Sequence, residues 1–303
     1  MAEPALQRPI LGWYARHARD LPWRRPDATA WGVFVSEVML QQTPVSRVEP
    51  VWRAWLARWP TPADLAGEAP GEAVRAWGRL GYPRRALRLH EAATAMLARH
   101  DGAVPDTVDA LLALPGVGTY TAAAVASFGF GRRASVVDTN VRRVQARAVQ
   151  GVAQAARGLT RAETDIAARL LPLDPGTART WNVAVMELGA LVCTSRAPRC
   201  GGCPVADLCV WRAAGYPAYQ GPVRPSQAWH GTDRQLRGAI LALLRSADGP
   251  VHQDAIEHAA EPLGADPRKL SRCVDSLVAD GLLERLGGDG YQLPGLATSS
   301  PTA

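Results

Sequence analysis

Four cysteines, Cys193, Cys200, Cys203 and Cys209, stand in a C-x6-C-x2-C-x5-C run, and thiolate sulfur is a soft ligand that favours zinc and iron–sulfur clusters. A closed shell of four cysteines leaves no open position for a substrate, so either metal would be structural. Disulfide bonding is the competing use. The chain has one further cysteine, Cys273, and no apolar leader, which reads as a protein made and kept in a reducing cytoplasm where disulfides are rare. Zinc shells commonly use two C-x2-C knuckles. Here one knuckle is flanked by gaps of six and five residues, which tilts the reading toward one 4Fe-4S cluster and leaves zinc open.

A second group of residues suits a phosphate backbone. Residues 114–121 read Leu-Pro-Gly-Val-Gly-Thr-Tyr-Thr, between an apolar segment at 108–112 and another at 121–128. This is the pattern of a helix–hairpin–helix. Gly116 and Gly118 allow tight backbone geometry, so that N–H groups at the start of the second helix can face outward and receive a DNA phosphate. Two carboxylates flank this hairpin in sequence, Glu37 in Ser-Glu-Val-Met-Leu-Gln-Gln-Thr and Asp138 in Val-Val-Asp-Thr-Asn. Taken alone, Glu37 reads as a solvated helix-face residue and Asp138 as a helix N-cap. The cations are nearly all arginine, and Lys269 is the only lysine in the chain.

These residues need elements to hold them. From about residue 11 to 208 apolar positions recur at three and four, as in Val51, Trp55 and Leu56, then Ala73, Val74, Trp77 and Leu80. Pro and Gly interrupt the pattern at Pro60, Pro62, Pro70, Gly81 and Pro83, and again at Pro105, Pro115 and Gly116, which predicts many short helices. Strand-like alternation is scarce, so the region reads as mainly α. A Pro- and Gly-bearing linker is expected over 215–229. Helices at 235–245, 252–260 and 268–280, then a hairpin at 282–286 and 291–293 around Gly287-Gly288-Asp289-Gly290, suggest a winged-helix-like module over 230–295 with a flexible tail at 296–303. Asp275, Asp280 and Glu284 leave this module poorly basic, which favours a packing or partner role over DNA binding. The 303 residues suffice for two or three units, and no run of about twenty apolar residues could span a bilayer. A formal charge of +6 suits a polyanionic partner without requiring one.

The hairpin, the segment 136–143 and the cysteine run occur in the order found in the helix–hairpin–helix DNA glycosylases with a 4Fe-4S cluster, the endonuclease III superfamily. The chain resembles that superfamily over about residues 11–209. Within it, Val35-Ser36-Glu37-Val38-Met39-Leu40-Gln41-Gln42-Thr43 and Leu80-Gly81-Tyr82 resemble the MutY-type adenine DNA glycosylases, which remove adenine mispaired with 8-oxoguanine. The resemblance implies two lobes. One is a six-helix domain over 26–134. The other is a cluster lobe over 135–214, joined by an N-terminal segment, 1–25. It also implies a monomer in the bacterial cytosol or nucleoid, acting on double-stranded DNA with A:8-oxoguanine or A:G mispairs.

Site roles follow from the same resemblance. Glu37 is the acid, held protonated in a mostly apolar pocket, and Asp138 is the anion that stabilises an oxocarbenium-like sugar. Asn140 orients the pair. Endonuclease III-like enzymes that also cut the strand place a lysine where this chain has Tyr120, so the expectation is a monofunctional glycosylase. Gln42 fills the duplex beside the extruded adenine, and Tyr82 inserts next to the opposite base. Arg84, Arg85, Arg142, Arg143, Arg196 and Arg199 are candidate phosphate contacts. Trp23, Arg24 and Leu40 are candidates for the base pocket.

The chain departs from the pattern in several places. Residues from 227 onward are too few and too helical for the Nudix-like domain that MutY-type enzymes usually carry. Val183 stands where the family tends to place Glu or Gln against the adenine edge, and Pro83 ends a segment that is usually Gly-Tyr-Tyr. Two alternatives keep most of the same motifs: a mismatch thymine or uracil DNA glycosylase of this superfamily, and a non-catalytic cluster-containing DNA-binding protein.

Overall fold

The computed structural model describes residues 4–221 and 229–296. Most of the expected linker therefore lies outside the described residues, as does all of the expected tail except Leu296. The helices in chain order are α1 (Pro4–His17), α2 (Ala30–Met39), α3 (Val45–Arg58), α4 (Pro62–Ala66), α5 (Pro70–Trp77), α6 (Arg84–Arg99), α7 (Val108–Leu112) and α8 (Thr119–Phe130). They continue with α9 (Thr139–Ala148), α10 (Arg161–Leu170), α11 (Pro175–Leu191), α12 (Val210–Ala213), α13 (Asp233–Ser246), α14 (Gln253–Ala260) and α15 (Pro267–Ala279). Strands β1 (Val251–His252), β2 (Glu284–Leu286) and β3 (Gly290–Gln292) complete the chain. Two compact units share these elements. The first comprises residues 1–34, 105–113 and 117–223, and the second 35–104, 114–116 and 224–303. The expected six-helix segment 26–134 is thus divided between them.

In the first unit α1 packs on α11. Leu6, Ile10 and Trp13 of α1 bury against Trp181, Val185 and Leu188 of α11 and Val141 and Val144 of α9, while Gln7 Nε2 donates to Leu170 O at 2.9 Å. Helix starts here carry side-chain caps. Asp138 accepts from Val141 N, Asp174 from Thr177 N, and Thr160 with Glu163 forms a capping box. Each cap satisfies a backbone donor that a first helical turn leaves without a partner. Glu163 also takes Arg142, whose Nη2 lies 2.9 Å from Oε2 while the two side chains are 12% and 3% exposed.

The core of the second unit is aromatic. Trp55 meets Trp59 and Trp77 edge to face, with centroids 4.7 and 5.9 Å apart, an arrangement that aligns ring edges with ring faces. The C-terminal segment folds as α13, β1, α14, α15 and a β2–β3 hairpin. The antiparallel sheet has strand order β1-β3-β2, with Tyr291 opposite both Val251 and Arg285. β1 was not legible in the sequence because two residues are too few to show alternation. Within this unit the module packs on α5. Arg75 Nη1 donates to Arg245 O and Ala247 O at 2.7 and 2.8 Å, Arg245 Nε donates to Val74 O at 2.9 Å, and Gly71 N donates to Pro294 O at 2.7 Å. A Cβ at residue 71 would stand 2.6 Å from Pro294 O, so only glycine permits this approach.

Candidate active site and metal centre

Asp138 is the N-cap of α9, and its two oxygens are divided between two donors. Oδ1 accepts from Val141 N at 2.7 Å and Oδ2 from Asn140 Nδ2 at 2.6 Å. Burial pushes the Asp138 carboxyl above its ordinary pKa, while these hydrogen bonds and the Arg143 guanidinium oppose the rise. Asn140 is fixed in turn. Its Oδ1 accepts from Arg143 Nη2 at 2.7 Å, and the same nitrogen donates to Gly189 O at 2.6 Å while Arg143 Nε donates to Cys193 O at 2.6 Å. A chain of contacts therefore runs from the first cysteine of the run to the Asp138 carboxylate. It needs α11 close to α9, and a Cβ at Gly189 would come within 2.6 Å of Asn140 Cβ.

Elsewhere in the first unit, Tyr120 packs against a small cluster of Ala123, Ala124 and Val136. Trp23 is buried in the short turn Pro22–Arg24. Arg24 Nη2 donates to Glu187 Oε2 at 3.0 Å, and Arg19 grips the same carboxylate with Nε and Nη2 at 2.7 and 2.8 Å. Burial pushes Glu187 up, but Arg19 and Arg24 more than offset it and hold the pKa down at about 2. Sequence reasoning missed Glu187, whose only signal is a carboxylate at a core position of α11. Asn182 was also missed as an anchor. Its Nδ2 donates to Ser127 Oγ and Ala134 O at 3.0 and 2.8 Å, while its neighbour Val183 is half-buried.

In the second unit Glu37 lies on α2 and is 5% exposed, which excludes a solvated face residue. Leu40, just beyond α2, is half-buried. Gln42 and Tyr82 both adopt left-handed backbone, with φ of +57° and +48°, and Tyr82 is 53% exposed. Gly116 has φ of +73°, and a Cβ there would meet Arg88 Cβ at 2.7 Å. Gly118 caps α8 with nothing within 4 Å of where its Cβ would be, leaving the helix start open to approach.

The arginines divide sharply. Arg196 and Arg199 are exposed, and Arg84 is exposed while pairing with Asp280 at 3.2 Å. Arg85 and Arg142 are corrections to the expected phosphate contacts. Arg85 is 8% exposed and satisfied by backbone carbonyls, and Arg142 serves Glu163. Arg143, expected at a phosphate, turns Nε and Nη2 inward as described above. Spacing in sequence does not separate an arginine that faces DNA from one that braces a fold.

The four cysteines of the run line one pocket with Arg147, Val192, Pro198, Ala206, Trp211 and Arg212, and all are free thiols. Among the described residues no group of three or more His, Cys, Asp or Glu side chains is arranged to share a single metal ion. Four sulfurs around one pocket without a common point suit a polynuclear cluster better than one zinc ion. The wall is largely apolar, and burial drives the Cys203 thiol up to about 11. Thiolates here therefore need a cationic partner such as iron. Arg147 supplies part of the charge and most of the bracing. It is 3% exposed, approaches Cys193 Sγ at 3.4 Å, donates to Thr194 O, Ser195 O and Ala153 O at 2.7, 3.0 and 2.9 Å, and stacks on Trp211 at 4.7 Å.

Comparison with known proteins agrees with this geometry. Residues 35–168 match the HhH-GPD superfamily of base excision DNA repair proteins, and residues 193–209 match the iron-sulfur binding domain of endonuclease III. The chain is 52% identical to an adenine DNA glycosylase of Mycolicibacterium smegmatis, across 94% of this chain and 95% of that protein. It is 51% identical to one of Mycobacterium tuberculosis across 94% and 92%, and 42% identical to that of Homo sapiens across 68% and 39%. A thermostable thymine-DNA glycosylase superposes with a TM-score of 0.63 at 28% identity, over 70% of this chain and 97% of that one. A non-covalent endonuclease III–DNA complex shares the fold, with a TM-score of 0.59 at 22% identity over 71% and 98%.

Proposed function

Because the chain belongs to the adenine DNA glycosylase family, we propose that it excises adenine mispaired with 8-oxoguanine or guanine in double-stranded DNA. The reaction hydrolyses the N-glycosidic bond and leaves an abasic site without cutting the strand. The protein works as a monomer in the bacterial cytosol or nucleoid. The observation that carries the reading is Asp138, a helix N-cap whose carboxyl is withdrawn from water and still held ready to ionise by Val141 N and Asn140 Nδ2.

The bond to adenine breaks when the leaving base is protonated and the cation forming on the sugar is stabilised. Glu37 delivers the proton to a ring nitrogen of the base; its burial supports this role, since a dry site favours a protonated carboxyl. Asp138 stands by the sugar as the anion, and water then attacks. Asn140 keeps the Asp138 carboxylate aimed. Tyr120 offers no amine for Schiff-base attack and the one lysine, Lys269, lies on α15, which supports a monofunctional reaction. Gln42 and Tyr82 enter the duplex as the base leaves the stack. Gly116 and Gly118 present backbone N–H groups to a phosphate, and Arg84 adds charge nearby in sequence. Trp23, Arg24 and Leu40 line the base pocket. Cys193, Cys200, Cys203 and Cys209 hold the 4Fe-4S cluster, which when bound clamps the loop after α11 and offers no open position to substrate.

A single-turnover assay tests the reading. Wild type and Glu37→Gln are presented with duplexes containing A opposite 8-oxoguanine, A opposite guanine, and T or U opposite guanine, with and without alkali. The expected result is cleavage at adenine that depends on alkali and is lost in the variant. Cleavage only at T or U would replace this reading with a mismatch thymine or uracil glycosylase, and no cleavage at all would leave a DNA-binding protein.

A further inference from the structure

One buried guanidinium joins three parts that the proposed chemistry uses. Arg85 is the second residue of α6. Its Nη1 donates to the carbonyls of Val38, Met39 and Gln41 at 2.8, 2.9 and 2.7 Å, and its Nη2 donates to Thr43 Oγ1 and Gly81 O at 2.9 and 3.0 Å. Val38 and Met39 end α2, where carbonyls lack helical partners and the helix dipole is negative, so a cation is well placed there. These acceptors are all neutral. Burial lowers the Arg85 pKa to about 10, which keeps it charged at neutral pH. Its guanidinium carbon also lies 5.1 Å from the Trp77 ring centroid and 5.5 Å from that of Tyr82.

Gln42 and Tyr82 are the residues whose backbones are left-handed, a region that side chains with a Cβ enter at a cost. Each follows a peptide whose carbonyl Arg85 holds, Gln41 O before Gln42 and Gly81 O before Tyr82. The angle φ turns a residue against the peptide before it, so fixing that plane fixes the handedness. Thr43 Oγ1 sits 3.2 Å from Leu80 O and links the two segments again. Unfavourable backbone held this firmly is characteristic of functional positions.

We propose that Arg85 is a positioning residue for lesion recognition: it holds Gln42 and Tyr82 in their left-handed poses and fixes both to the end of the helix that bears Glu37. Insertion into the duplex and proton delivery then come from one rigid piece, while Arg85 itself never touches DNA. This inference rests on the adenine glycosylase reading above.

The test measures equilibrium binding to duplexes with A opposite 8-oxoguanine and A opposite T, in a Glu37→Gln parent that cannot turn over. Four proteins are compared: the parent, Arg85→Lys, Tyr82→Ala and the two combined. Lysine keeps the charge but lacks the planar fork that bridges two segments. Arg85→Lys is expected to lower the preference for the mispaired duplex roughly 10- to 100-fold, and to leave matched-duplex binding within about twofold because phosphate contacts are intact. With Tyr82 already alanine, Arg85→Lys is expected to add little, as for residues that act through one another. Equal weakening of both duplexes, or an Arg85 effect independent of Tyr82, would overturn the proposal. Should Arg85→Lys not fold, Arg85→Gln carries the same cycle, since its amide can serve Gln41 O or Gly81 O but not both. A parent with no preference for mispaired adenine removes the adenine reading and this inference together. A parent with normal preference, matched by Arg85→Lys, removes this inference alone.

Discussion

The Asp138 carboxylate shows how a residue with an ordinary local job acquires a second one. As an N-cap it would serve any helix, but burial raises its pKa while Asn140 and Val141 pull it back. In the proposed mechanism Asp138 must be ionised, so the acid limb of the pH–rate profile belongs above the ordinary carboxylate range. Asn140→Ala removes a hydrogen bond that favours the ionised form. It is expected to move that limb further up in pH and to slow neutral-pH excision roughly 10- to 100-fold; single-turnover rates across pH check this, and an unmoved limb would discard the orienting role of Asn140. Glu187 has the opposite shift. Its folded pKa is depressed from 4.5 to about 2 by Arg19 and Arg24, so its stabilisation is present above 4.5 and lost as pH falls toward 2. Glu187→Gln is expected to lower stability at neutral pH by about 3–5 kcal/mol, because two cations lose their carboxylate, and to flatten the dependence of Tm on pH between 4.5 and 2. Thermal melts of both proteins through that window measure it.

At the scale of elements, the close crossing of α9 and α11 decides whether the site is assembled. Arg143 can reach Asn140, Gly189 O and Cys193 O together only because residue 189 has no side chain. In Gly189→Ala the new Cβ would lie 2.6 Å from Asn140 Cβ and 2.8 Å from Asn140 O, neither of which is the end of a flexible side chain. The expected cost is about 1–3 kcal/mol of stability, with excision falling further than the lost stability explains because Asn140 is displaced. A melt and a single-turnover rate on the same preparation separate the two effects. A variant with normal rate and normal Tm would show that α9 and α11 can move apart harmlessly. The hairpin depends on glycine for a related reason, since Gly116 needs both its positive φ and its closeness to Arg88.

For the whole molecule, the C-terminal module is bound into the second unit through main-chain acceptors, which side-chain patterning does not advertise. Arg75 donates to Arg245 O and Ala247 O, and Arg245 donates back to Val74 O. Arg75→Ala removes two of these bonds and the pair with Glu72. It is expected to lower stability by about 1–3 kcal/mol, a fall in Tm of roughly 2–4 °C per kcal/mol at this size, while the visible absorbance of the iron–sulfur cluster is unchanged. An unaltered melt would mean that these bonds contribute nothing to holding the module. The packing role expected for this poorly basic segment agrees with the contacts it makes on α5.

Much of the protein was legible from residue type and local spacing. The C-x6-C-x2-C-x5-C run, the hairpin glycines, Glu37, Asp138 and the succession of short helices are all encoded within a few residues of one another, where periodicity and motif act directly. Even the wing hairpin followed from a turn-forming tetrad, whereas β1 did not, since it becomes a strand only by pairing with β3. Tertiary structure alone decided what the arginines do. Arg85, Arg142 and Arg147 resemble any other basic residue of this chain in sequence, and they become braces because carbonyls, a carboxylate or a thiol from distant segments converge on them. Glu187 and Gly189 belong with these. A buried ion pair and a helix crossing are relations between segments far apart in the chain, and a hydrogen bond or close contact of that kind leaves no periodic trace in the sequence of either partner.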